Sequence, residues 1–168
     1  MLKKSLLLVM LVLMTGRILA QEENHISLYL FNFTRYIEWP EEKRSGKFVI
    51  EVLGHESVYE KLKERLNGKK INSQSVEIRN YMDAGETGKP HIMFVGHWQS
   101  DQMPEVLEKL NDHPTLIVTE KKGMIDEGAA INFLVQKGKI EYEYKKSHAS
   151  ERGLKVNSRL GELGITID

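Results

Sequence analysis

The sequence contains no cysteine. That absence excludes disulfides, thiolate nucleophiles, cysteine-based zinc sites and a sulfur-borne lipid anchor, and leaves chemistry to His, Asp, Glu, Ser, Thr, Lys and Tyr. An excess of charge of one sign is missing too: 24 Lys and Arg balance 24 Asp and Glu. The lysines are scattered among glutamates, so there is no basic field to recruit nucleic acid. Internal repeats and low-complexity segments are absent. So are the dinucleotide fingerprint GxGxxG, the P-loop, HExxH and the nucleophile elbow GxSxG, which removes the usual nucleotide sites, the helical zinc site and the hydrolase serine. No apolar run reaches the roughly 20 residues that a membrane-spanning helix needs.

What the sequence does have at its start is Lys3 and Lys4, an apolar run from Leu6 to Met14, then Thr15, Gly16, Arg17 and Ala20. This pattern predicts a secretory signal peptide over residues 1–20, cleaved after Ala20. Losing Lys3, Lys4 and Arg17 with the leader leaves 21 bases against 24 acids, a net of −3, on 148 of the 168 residues. At that length a chain buries roughly 70% of its unfolded surface, so residues 21–168 are expected to form one exported domain with its own core, not inserted in the membrane after cleavage.

Hydrophobic spacing predicts a first helix from Asn24 to Glu38, with Ile26, Tyr29, Leu30, Phe33, Tyr36 and Ile37 on its core face and Pro40 as its stop. The run KFVIEVL at 47–53 reads as a strand closed by Gly54. A helix with Val58, Leu62 and Leu66 on one side follows, ended at Asn67-Gly68. Further strands are expected at Val76–Tyr81, His91–Val95 and Thr115–Thr119, with a helix near Met103–Leu110 between the last two, the pattern of a parallel crossover. The unalternating runs IMFV and LIV suit strands covered on both faces. INFLVQ and KIEYEYK, joined by Lys137-Gly138, read as an antiparallel hairpin with Ile140, Tyr142 and Tyr144 on one side. A polar helical stretch around Lys146–Arg152 follows, and the final segment LKVNSRLGELGI reads equally as strand or helix. The fold class expected is a three-layer α/β sandwich: a mostly parallel central sheet, an antiparallel edge hairpin, and helices on both faces.

Three stretches together, SLYLFNFTRYIEWP at 27–40, KFVIEVLG at 47–54, and AINFLVQKGKIEYEY through RGLKVNSRL at 130–160, resemble the YfiR/HmsC family of periplasmic proteins. The resemblance implies a periplasmic α/β protein that restrains a membrane-bound signalling partner, in the best-known branch a diguanylate cyclase, through the partner's periplasmic region. It brings no catalytic residues and no cofactor. Many relatives carry cysteines, so redox sensing is not carried over to this chain. Where relatives often show Gly-Gly before the Ile-Asn-Phe strand and Leu-Leu near the end, this chain has Gly128-Ala129-Ala130 and Leu160-Gly161.

Two constellations stand out as candidate sites. At about 100° per residue, Leu28, Phe31, Arg35 and Trp39 fall together on the side of the first helix opposite its core face. That second stripe either packs inside the same chain or forms a homodimer or partner surface with Arg35 as its polar handle. In open parallel sheets ligands sit beyond the carboxyl ends of the strands, a rim that would hold His55 with Glu56, His97 with Trp98, and Glu120. This is the alternative reading, a small-molecule or metal-binding receptor, although no spacing among these residues is diagnostic and exposed loop histidines are the plainer explanation. Asp83 and Glu86 in a Gly-flanked loop read as turn chemistry, Gly54 as backbone geometry, and Asn157, Ser158 and Arg159 as capping or turn bonding of the last element rather than a ligand or partner contact. Ser57, Ser147 and Ser158 have no catalytic context.

Overall fold

The computed structural model describes residues 22–136 and 139–168. The expected leader, residues 1–20, and the hairpin tip Lys137-Gly138 lie outside the described residues. The first helix, α1, covers 22–33 and buries Ile26, Leu30 and Phe33, the three-and-four spacing read from the sequence. It ends earlier than its apolar pattern. The Thr34 hydroxyl donates to the Phe31 carbonyl at 2.7 Å, while the Thr34, Arg35 and Tyr36 amides bond three residues back, to Phe31, Asn32 and Phe33. This tighter winding uses up the last helical carbonyls. Trp39 precedes Pro40 and so favours extended backbone, and the chain leaves the helix into a short strand, β1 (Ile37–Glu38), antiparallel to Lys155–Val156.

The remaining strands form one eight-stranded sheet. Its parallel centre is β4 (Gln74–Tyr81), β2 (Lys47–Leu53), β5 (Ile92–Val95), β6 (Leu116–Thr119) and β7 (Ile131–Gln136), in that order across the sheet. The hairpin partner β8 (Lys139–Lys145) runs antiparallel to β7, as expected. Two short strands that the pattern did not reveal close the ends. β3 (Lys70–Ile71) turns back onto β4 through Asn72 and Ser73, both at positive φ (48° and 74°), the backbone of a two-residue hairpin but without its usual glycine. At the opposite end β10 (Ile165–Ile167) lies parallel to β8. The terminal segment is thus both strand and helix: β9 (Lys155–Val156), then a short helix Arg159–Glu162, then β10.

Because side chains alternate across a strand, the central strands supply two cores. On one face Phe48, Ile50, Val52, Ile92, Phe94, Leu116, Val118, Ile131 and Phe133 meet α1 and α2 (Glu56–Leu66), whose Val58, Leu62 and Leu66 are buried. On the other, Leu53, Met93, Val95 and Ile117 meet α3 (Met103–Lys109) through Met103 and Val106. The mostly parallel sheet with helices on both faces is therefore the observed architecture. Two further short helices complete it, α4 (Lys146–Ser150) and α5 (Arg159–Glu162). The Asn157 side chain accepts from the Arg159 amide at 3.0 Å just before α5, a turn bond, while Ser158 at the N-cap position makes no side-chain capping bond. Asp83 likewise accepts from the Gly85 amide at 2.7 Å.

One charge is built into the second face. The Glu51 side chain, wholly shielded, accepts from the Gly88 amide at 2.8 Å and lies 3.3 Å from the Arg79 guanidinium. Burial pushes its carboxyl above the usual 4.5, against the opposing pull of Gly88 and Arg79. A group raised in the folded state contributes its full stability below the unfolded value and loses it as pH climbs through the folded one. Glu51→Gln keeps an acceptor for Gly88 and removes the buried charge. Its melting temperature at neutral pH is expected to equal or exceed that of the parent, with the loss of stability on raising pH from about 4.5 reduced. Calorimetric melting across that range checks this; an unchanged pH dependence refutes it.

Candidate interaction surface

The outer side of α1 carries three of the four residues in the predicted stripe. Leu28 is 40% exposed. Phe31 is half-buried at the edge of the core, and two cations approach its ring: the Arg35 guanidinium 4.9 Å and the Lys69 ammonium 5.6 Å from the ring centroid. Arg35 is itself exposed.

Trp39 does not join them. Its side chain is 3% exposed, lies edge-on to Phe48 at 5.0 Å, and donates its indole N–H to the His91 carbonyl at 3.2 Å. The helical projection that grouped it with Leu28 and Phe31 fails because α1 stops at residue 33 and extended backbone swings the indole under the sheet's amino end. Trp39 is a core residue. Conversely, the stripe includes residues that the sequence reading missed. Lys69 follows α2 by a turn, and Arg65 on α2 reaches α1, donating to Asn24 Oδ1 at 2.7 Å and to the Ser27 hydroxyl at 3.2 Å. Only the packing of two helices separated in sequence brings them there, so no local pattern marks them.

The rim beyond the strand ends is also assembled as the parallel topology requires. His55 caps α2 by accepting from the Val58 amide at 3.4 Å through Nδ1, which leaves Nε2 facing Glu120 at 3.5 Å. Glu120 accepts from the His97 amide at 2.7 Å. His97 stacks edge-on with Trp98 at 5.0 Å, and Trp98 projects outward, 83% exposed. All four predicted rim residues thus lie on one edge. Glu56 beside them is bonded to Asn80 at 2.5 Å. The space over Gly54, at φ +71°, is taken by Gln99, whose Oε1 would lie 1.7 Å from a methyl placed there. Glycine is favoured at that position by its dihedral, and any side chain there would have to displace Gln99. Among the described residues no group of three or more His, Asp or Glu side chains is placed to hold a metal ion, so the metal version of the alternative has no ligand set there.

The strongly buried polar groups serve the scaffold. Glu51 fastens the loop at Gly88; His91 accepts from the Val49 amide at 3.1 Å and bonds the Lys43 carbonyl at 2.8 Å; Tyr142 donates to the Leu160 carbonyl at 2.7 Å, its phenol pushed well above the usual range by burial.

The YfiR/HmsC-like family model matches residues 26–164, from within α1 to just past α5. The chain belongs to that family. No curated protein matches it. The match extends over both cores and the five strands of the parallel centre, leaving out only β10 among the strands, so the family resemblance seen in three stretches of sequence is a property of nearly the whole folded unit. It supports a periplasmic, regulatory rather than catalytic role in general terms. Among the described residues no helix is long and apolar enough to cross a membrane.

Proposed function

We propose that the protein is a non-catalytic periplasmic regulator that binds the extracytoplasmic part of a membrane signalling protein, a diguanylate cyclase in the family's best-known branch, through the outer side of α1. The observation that carries this reading is the pairing of an exposed Leu28 with a Phe31 ring approached by Arg35 and Lys69, on a helix whose other side is fully spent on the core. An apolar centre with an adjoining cationic edge is the make-up of a protein contact, in which a few aromatic or aliphatic anchors carry most of the affinity.

The test is retention of a solubilised membrane signalling protein on the immobilised chain. Replacing Leu28 and Phe31 together by serine, in a variant whose circular dichroism shows an intact fold, is expected to weaken retention by at least about tenfold. Full retention by the folded double variant removes α1 as the contact face. The strand-end rim is the control surface: His55→Ala with His97→Ala is expected to leave retention unchanged.

A further inference from the structure

The outer side of α1 holds positive charge that the chain does not neutralise. Lys61 and Lys63 are paired on their own helix, with Glu64 at 3.1 Å and Glu60 at 3.2 Å. Arg35, Arg65 and Lys69 have no such carboxylate among the described residues. Neutral groups hold them instead: the Phe31 ring under Arg35 and Lys69, and Asn24 with Ser27 for Arg65. Arg65 and Lys69 border an open cleft of about 560 Å³ between the start of α1 and the end of α2, lined also by Asn24, Lys61, Glu64 and Asn67; Arg35 stands outside it, against Phe31. Leu28 lies one turn from both Asn24 and Phe31, so the apolar stripe and the cationic cleft adjoin. Beyond the expected leader acids outnumber bases, 24 to 21, which makes this local excess of cations a feature of the face rather than of the chain.

Spacing decides what fits. Arg65 is held at Asn24 and Ser27, and Arg35 with Lys69 at Phe31, so the positions that hold the cations span seven residues of α1, roughly 10 Å of helix. A single phosphate seated in the cleft meets Arg65 and Lys69 but leaves Arg35, outside the lining, without an anion. Two carboxylates two turns apart on a partner helix, with an apolar residue on the turn between, match both ends of that span and place that apolar residue over Leu28. Resting on the proposal that α1 is the contact face, we infer that the occupant is an acidic amphipathic helix of the membrane partner, its carboxylates at i and i+7 meeting Arg65 and the Arg35–Lys69 pair, and its apolar side chain at i+3 or i+4 covering Leu28 and Phe31.

The probe is a synthetic alanine-based helical peptide with Glu at i and i+7 and Leu at i+3 and i+4, titrated into the intact protein with amide shifts followed by NMR. Shifts are expected at residues 24–35 and 65–69. Affinity is expected to fall about tenfold in Arg35→Glu with Lys69→Glu, and to fall with added salt. Equal binding of a peptide with Lys in place of Glu, equal binding of polyglutamate, comparable binding to vesicles of anionic lipid, or no shifts on this face would each overturn the inference. The retention assay separates the two claims. Retention lost in Leu28→Ser with Phe31→Ser but kept in Arg35→Glu with Lys69→Glu defeats the acidic helix and leaves the contact face standing. Retention kept in both pairs defeats the contact face itself.

Discussion

Replacing Phe33 by alanine is expected to remove roughly 3–5 kcal/mol of unfolding free energy, the usual cost of emptying an aromatic site in a packed core. Phe33 is 1% exposed, and its ring lies 5.9 Å from Phe133 and 5.2 Å from Tyr142 between centroids, with Tyr29 at 6.1 Å. These four rings, with the Tyr29 hydroxyl on the Ile140 carbonyl, join α1 to the β7–β8 hairpin. A loss of that size is a large fraction of the 5–15 kcal/mol typical of a whole domain, so the variant is expected to undock α1 and take the contact face with it. Two positions earlier on the same helix, Phe31→Ala is expected to cost about 1 kcal/mol, because that ring sits at the edge of the core. Urea unfolding of the two variants decides the matter: similar costs at both positions would mean that α1 does not have one buried and one outward side.

The second large effect is at His91, 4% exposed and stacked on Phe48 at 4.2 Å. Its Nδ1 accepts from the Val49 amide, which fixes the proton on Nε2, and Nε2 faces the Lys43 carbonyl. The imidazole thereby ties β2 to the loop at 39–46, which Gln74 also holds through the Lys43 and Ser45 carbonyls. His91→Leu leaves the Val49 amide without a partner and the Lys43 carbonyl with Gln74 alone, and is expected to cost about 1–3 kcal/mol. His91→Asn, whose Oδ1 can take the place of Nδ1 before Val49, is expected to cost measurably less. Burial first, and the nearby Lys43 ammonium as a lesser cause, hold the imidazole below its usual 6.5, while the bond to the Lys43 carbonyl pulls the other way. A histidine depressed in the folded state contributes its stability in full above the unfolded value and loses it as pH falls toward the folded one. The protein is therefore expected to weaken on acidification below about 6.5, with a smaller slope in either variant. Melting curves across that interval, compared between parent and variants, measure it. A parent slope no steeper than that of His91→Asn would sink the assignment.

Much of the fold could be read locally. Val58, Leu62 and Leu66 mark the buried side of α2, the runs IMFV and LIV mark strands covered on both faces, and Ile140, Tyr142 and Tyr144 mark the inner side of β8; in each the burial is that expected. Three features were not legible, each for a physical reason. The β3–β4 turn runs through Asn72 and Ser73 at positive φ, and serine is not a residue that announces such a turn. β10 is only three residues long, too short to alternate visibly, and exists because β8 offers it an edge. The end of α1 is set by a threonine hydroxyl competing for a helical carbonyl, against an apolar spacing that continues to Ile37.

The candidate surface divides along the same line. Leu28, Phe31 and Arg35 were readable as a stripe because all three lie within or just past a regular helix. Trp39 was misplaced because a projection at fixed angle holds only while the helix does. Lys69 and Arg65 reached the surface through packing between α1 and α2, and the rim of His55, His97, Trp98 and Glu120 through the order of parallel strands.

By itself the amino-acid sequence determined the periodicities, and with them the kinds of elements, the mostly parallel sheet and the family. It also determined what chemistry is closed to the protein, since a chain without cysteine has no thiolate in any fold. Only the tertiary structure decided which apolar residues of the first helix remain outside and which charges stand beside them. Periodicity is a property of neighbours in the chain, whereas exposure and charge pairing depend on surfaces that meet from distant positions.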